Sequence, residues 1–135
     1  MYKKMIKRRI VSIVAATVFL IAISGCGHDE EGSVYMHIGP KEAKKLMEEL
    51  DKFVLLDARS EEEFSEGHIP GAIVIPHDEI SERAESEISE KDIPVFVYCR
   101  SGRRSKLAAE ALLELGYEKI YEFGGINSWP YEIEN

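Results

Sequence analysis

The segment YCRSGRRS, residues 98–105, sets one of the chain's two cysteines ahead of three arginines, one glycine and two serines, directly after the apolar run PVFV. A thiol is a useful nucleophile only as the thiolate, and three features here favour that form. They are the positive end of a helix that begins just after the cysteine, the backbone N–H groups of a glycine-containing turn, and the guanidinium groups of Arg100, Arg103 and Arg104. The same features bind an anion. A loop whose amides converge on a sulfur can hold a second sulfur atom as a persulfide anion, and its charge attracts small sulfur oxyanions such as thiosulfate. Gly102 permits the close turn, and Ser101 and Ser105 can donate hydroxyl hydrogens or cap the helix. The competing interpretation of Cys99 is a small buried hydrophobe with no chemistry. Three arginines within five residues are poor neighbours for an inert core, so the nucleophile is favoured.

The whole chain of 135 residues carries a formal net charge of -8, yet its first 25 residues hold five Lys/Arg and no acid, leaving -13 on the remaining 110. An acidic body argues against nucleic acid as a partner. With 44% hydrophobic residues the length suits one core. No internal repeat or low-complexity tract is present.

The basic start YKKMIKRR runs into the apolar stretch 10–23, which has the outline of an export signal. As a helix those residues reach ~21 Å, short of the ~30 Å hydrocarbon core, so an uncleaved membrane anchor is the weaker alternative. The sequence ISGC that follows, ending at Cys26, resembles the lipobox of bacterial lipoproteins. The resemblance implies a signal peptide over 1–25, a lipid on Cys26, and an extracytoplasmic protein anchored to the bacterial cell membrane. Residues 26–33 then form the lipidated cysteine and an acidic tether, and residues 34–135 the folded domain. Lipidation leaves Cys99 without an intramolecular partner, so no internal disulfide is expected. The four histidines are dispersed and no Cys-x-x-Cys pair exists, so no metal site is expected.

In the body, FVLLD, AIVIP and PVFVYC are continuous apolar runs, as strands buried on both faces of a parallel sheet should be. SVYMHI and KIYEF are weaker strand candidates at the two ends. Between them lie helical patterns: GPKEAKKLMEEL with Pro40 in the first turn, SEEEFSEG with Ser60 as N-cap, and HDEISERAESEIS. The strongest is residues 102–116, where Leu107, Ala108, Ala111, Leu112 and Leu115 share a face and Gly116 can close the helix. This alternation predicts an open α/β sheet covered by helices, with Cys99 where a buried strand ends and a helix starts. Ligands of such sheets bind beyond the carboxyl ends of the strands.

Three separated motifs now resemble the rhodanese domain. They are YCRSGRRS, the upstream LLDARSEEEFSEGHIPGAIVIP, similar to that family's Asp-x-Arg, Glu-Phe and Gly-His-Ile-x-Gly-Ala signature, and the downstream FGGINSW. The resemblance implies an α/β fold, an open parallel five-stranded sheet with helices on both faces. It also implies a sulfurtransferase using a Cys99 persulfide, with residues 100–105 (Arg100, Ser101, Gly102, Arg103, Arg104 and Ser105) as the loop that binds it. The partners would be a small sulfur donor and a thiol or cyanide acceptor, which could belong to a partner protein. No metal or organic cofactor is implied, and a monomer is expected. Asp57, Arg59 and Glu63 are taken as structural ion pairs, His68 as hydrogen-bonded scaffold, and Gly124, Gly125 and Trp129 as turn and packing residues. Two rivals remain. Cysteine phosphatases related to this family carry one more residue between cysteine and arginine than separates Cys99 from Arg104, and the shorter loop suits a single sulfur atom. A non-catalytic binding or redox-sensing module is weakened by the presence of Cys99.

Overall fold

Each apolar run becomes a parallel strand in the computed structural model, which describes residues 32–135. The expected signal peptide, over residues 1–25, and the expected lipid attachment at Cys26 lie outside the described residues. In chain order the elements are β1 (Val34–His37), α1 (Pro40–Glu49), β2 (Val54–Asp57), α2 (Glu61–Glu66), β3 (Ile73–Val74), α3 (Ile80–Glu87), β4 (Val95–Cys99), α4 (Arg103–Glu114) and β5 (Lys119–Gly125). A short 3-10 turn, Ile126–Ser128, follows. The five strands form one sheet in the order β1-β5-β4-β2-β3, with every pairing parallel.

Strand β4 is central, and all five of its residues are buried. Its even run of valine and aromatic residues is what burial on both faces demands. One face packs against α3 and α4 through Ile80, Ala84, Ala108, Ala109 and Leu112. The other packs against α1 through Ala43 and Met47, with Phe96, Tyr98 and Phe123 between. Among the described residues no helix is long and apolar enough to cross a membrane.

Two sequence expectations need correction. The AIVIP run forms only a two-residue strand, half-buried, because β3 is the sheet edge and pairs with β2 over Leu56–Ile73 and Asp57–Val74 alone. On α4 the buried stripe is Ser105, Ala108, Ala109 and Leu112, whereas Leu107 is 42% exposed. The helix is turned so that its small residues face the sheet. Two alanines let the backbone lie close over β4 and β5, and that closeness brings Ser105 down to the strand ends.

The strand order also opens the site. From β2 the chain proceeds outward to β3, whereas from β4 it proceeds to β5 on the opposite side. The loops after β2 and β4 therefore diverge at the carboxyl ends of adjacent strands, which is where open α/β sheets form their clefts.

Candidate active site

Cys99 is the last residue of β4, and only 1% of it is exposed. Gly102 then takes φ 115°, a left-handed conformation that a side chain would disfavour, and α4 begins at the next residue. This sharp reversal points the Gly102 N–H back at the cysteine, 3.0 Å from Sγ. Ser105, one turn into α4, places its Oγ 3.5 Å from the same sulfur. Burial pushes the Cys99 thiol up. The Ser105 hydroxyl and the N–H groups of Ser105, Gly102 and Ser101 pull it down more strongly, so its pKa lies below the ordinary thiol value.

The arginines are placed differently from Ser105. Arg100 and Arg104 both turn to Glu63, with Arg100 Nε donating to Oε1 at 2.9 Å and Arg104 Nη1 to Oε2 at 2.6 Å. A second Arg104 bond, Nη2 to Oε1 at 2.9 Å, makes that pair bidentate. Arg103 and Ser101 are exposed. The sulfur's immediate partners are therefore a hydroxyl and backbone amides, and the guanidinium groups form an outer layer of the loop.

Glu63 is held in place by the start of α2. Ser60 and Glu63 form a reciprocal capping box, the Glu63 N–H donating to Ser60 Oγ and the Ser60 N–H to Glu63 Oε2, both at 3.2 Å. The hydrogen bonds from Arg104, opposed by burial and joined by those of Ser60 and Arg100, hold its carboxyl far below the usual carboxylate range. The three residues read as forming structural ion pairs do so, but with two separate sets of partners. Asp57 and Arg59 form their own buried fork, with Arg59 Nη2 at 2.7 Å from Asp57 Oδ2 and also donating to Gly67 O at 2.7 Å. Glu63 instead clasps the cysteine loop. It lies four residues beyond Arg59, on the first turn of α2, so its carboxylate meets the loop that follows β4.

His68 stacks on Phe64 with ring centroids 3.7 Å apart and places Nδ1 3.0 Å from the Phe64 carbonyl oxygen. Trp129 packs against Phe123 and Tyr131 on the α1 side of the sheet. Gly125 proves more than a turn residue. A Cβ there would fall 2.0 Å from the Arg100 carbonyl oxygen, so the cysteine loop rests directly on the end of β5. The Asn127 N–H fixes the same carbonyl at 3.2 Å.

Sequence reasoning also passed over Glu122. It is fully buried on β5, and its Oε1 accepts from Ser105 Oγ at 2.6 Å and from the Gly124 N–H at 2.8 Å. His37 Nδ1 lies 2.5 Å from its other oxygen. An acidic residue inside the apolar KIYEF run is the only signal the sequence offered.

A buried cysteine at the carboxyl end of a central parallel strand, with a helix N-terminus and backbone N–H groups beside its sulfur, marks the class of this α/β domain. The rhodanese-like domain model matches residues 39–131, and the chain belongs to that family. It is 39% identical over 71 residues to thiosulfate sulfurtransferase PspE of Escherichia coli (strain K12), covering 53% of this chain and 68% of that protein. It is 32% identical over 97 residues to thiosulfate sulfurtransferase GlpE of Coxiella burnetii (strain RSA 331 / Henzerling II), covering 71% and 88%. Among solved structures, a rhodanese with anions from E. coli matches with a TM-score of 0.59 and 33% identity over 62% of this chain and 99% of that one. Of two larger curated relatives the chain spans only 24% and 56% of the length. The family is that of the sulfurtransferases, and the five-stranded parallel sheet is its fold.

Proposed function

We propose that this protein is a sulfurtransferase that carries sulfane sulfur on Cys99. In the first half-reaction the Cys99 thiolate attacks the outer sulfur of thiosulfate, or of a polysulfide or small persulfide. A new S–S bond forms, the donor's S–S bond breaks, and sulfite or the shortened sulfide leaves with the electron pair. In the second, cyanide or an acceptor thiolate attacks the outer sulfur of the persulfide, and the Cys99 thiolate is the leaving group. The persulfide anion sits where the loop's N–H groups already point.

One observation carries this reading: a buried cysteine sulfur that accepts the Gly102 N–H at 3.0 Å and lies beside the Ser105 hydroxyl. An inert core cysteine would have no use for such donors, and the thiolate needs no further base. Relatives named thiosulfate sulfurtransferase support thiosulfate as a donor. The lipobox-like ISGC supports attachment through Cys26 at the outer face of a bacterial membrane, where the acceptor would be a small thiol or a thiol-bearing partner.

The test is thiocyanate formation from thiosulfate and cyanide. Wild type is expected to turn over, and Cys99→Ser to lose on the order of a thousandfold or more. Equal activity in the two proteins would overturn the assignment.

A further inference from the structure

Among the described residues two carboxylates are fully buried, and they are satisfied in different ways. Asp57 is matched by the Arg59 guanidinium, whereas Glu122 has no buried cation beside it. Its three donors are the Ser105 hydroxyl, the Gly124 N–H and His37 Nδ1. The Glu122 side chain is 0% exposed and that of His37 63% exposed. A connected line thus runs from Cys99 Sγ through Ser105 Oγ at 3.5 Å, on to Glu122 at 2.6 Å, and out to His37 at 2.5 Å and solvent.

The serine in that line has one hydrogen to give. Within its reach are Glu122 Oε1 at 2.6 Å, the Gly102 and Gly124 carbonyl oxygens at 3.0 and 3.2 Å, and the sulfur at 3.5 Å, and the charged acceptor at the shortest distance makes the strongest bond. While Glu122 holds it, Ser105 can only accept from a Cys99 thiol. A Cys99 thiolate would also stand one hydroxyl away from a buried carboxylate, and like charges at that range oppose each other. A cationic His37 offsets the Glu122 charge and weakens its hold on the serine.

We propose that Glu122 is a positioning residue that sets, through the Ser105 hydroxyl, how much of Cys99 is thiolate, and that His37 couples this setting to the surrounding pH. With His37 neutral, Glu122 keeps the serine hydrogen and opposes the thiolate. With His37 protonated, the carboxylate is compensated, the hydroxyl turns to the sulfur, and the thiolate persists to lower pH. The Cys99 proton leaves to solvent in either case. The inference rests on Cys99 being the nucleophile proposed above.

Other ionisable groups face this line. Tyr35 on β1 feels the Glu122 charge, and its pKa is raised first by burial and then by Glu122 and Glu110. On α4, Glu110 adds negative charge, and Arg104 feels the charge of Cys99 but is paired with Glu63. Histidine is the residue type whose charge ordinarily changes near neutrality.

The test measures the rate at which iodoacetamide alkylates Cys99 in the full chain between about pH 4.5 and pH 9, read by mass on the Cys99 peptide. Cys99→Ser reports any labelling at Cys26. Glu122→Gln is expected to lower the midpoint by about one pH unit, raising the rate about tenfold below it. His37→Asn keeps an N–H donor but cannot charge. It is expected to raise the midpoint in wild type and to change nothing in the Glu122→Gln background. A folded Glu122→Gln protein with an unchanged or higher midpoint would overturn the proposal, as would a His37→Asn effect that survives without Glu122. Should Glu122→Gln not fold, the exposed His37 decides alone, because an unchanged midpoint in His37→Asn contradicts the coupling. Alkylation needs no sulfur donor. A protein that shows these shifts but takes no sulfur would sink the sulfurtransferase reading and leave this one standing.

Discussion

Glu63 and Glu122 grip the same loop at different depths. The outer carboxylate, with 17% of its side chain exposed, binds the charged groups of Arg100 and Arg104 and makes no hydrogen bond to the cysteine. The inner one, fully buried, binds the serine that does. Charge pairing serves the outer position because both ions keep part of their water. At the inner position a buried cation would have to be desolvated as well, and neutral donors satisfy the carboxylate at lower cost. The contrast separates two properties of the loop: Glu63 maintains its shape, and Glu122 bears on the ionisation of its sulfur.

The most damaging substitution should be one that both carboxylates are powerless against. Gly125→Ala would drive a methyl group to 2.0 Å from the Arg100 carbonyl oxygen, backbone that cannot rotate away. We expect a loss of about 3 kcal/mol or more by urea unfolding, with sulfur transfer abolished because the amide ring is displaced. A variant of near wild-type stability and activity would show that the loop does not rest on β5.

Ser105→Ala acts on the inner position alone. Removing the hydroxyl takes from Glu122 its donor at 2.6 Å, and from the sulfur the hydrogen that would turn to it once Glu122 lets go. The alkylation midpoint of Cys99 should rise, and stability should fall by about 1–3 kcal/mol from the carboxylate bond lost in the interior. A midpoint that stays put would show the backbone amides sufficient by themselves.

The smallest effect is expected from the outer position. Glu63→Gln should cost about 1–2 kcal/mol at neutral pH, since Arg100 is half-exposed and the pairs are partly screened. Its carboxyl pKa is lower in the folded protein than in the unfolded chain, so its stabilisation is complete above the ordinary carboxylate range near pH ~4.3 and fades as pH falls toward the folded value. Wild type and Glu63→Gln should therefore differ in denaturant midpoint at neutral pH and converge in acid. The Cys99 alkylation midpoint should barely move in this variant, in contrast to Ser105→Ala.

Much of this arrangement could be read from local pattern. The continuous runs around Leu56 and Val97 marked buried parallel strands because such strands have no solvent face, and Ser60 announced the start of α2 as its N-cap. Cys99, Gly102 and Ser105 were visible because a nucleophile, a left-handed turn and a hydroxyl one helical turn later are local requirements. What escaped depends on distant contacts. Periodicity assigned Leu107 to the buried face, since it does not record which side of α4 lies close enough to the sheet to demand alanine. Glu63 meets Arg104 across 41 residues and Glu122 meets His37 across 85, and no spacing rule links such pairs. The arginines were read as neighbours of the sulfur because the sequence showed their charge without showing the carboxylate that takes it.

The most direct measurement of the central claim is the intact mass of the protein after exposure to thiosulfate, and separately to polysulfide, beside Cys99→Ser. Gain of one sulfur atom, removed by cyanide and absent from the variant, is the predicted result. An unchanged mass with both donors, in protein whose Cys99 still alkylates readily, would contradict a persulfide carried on this loop.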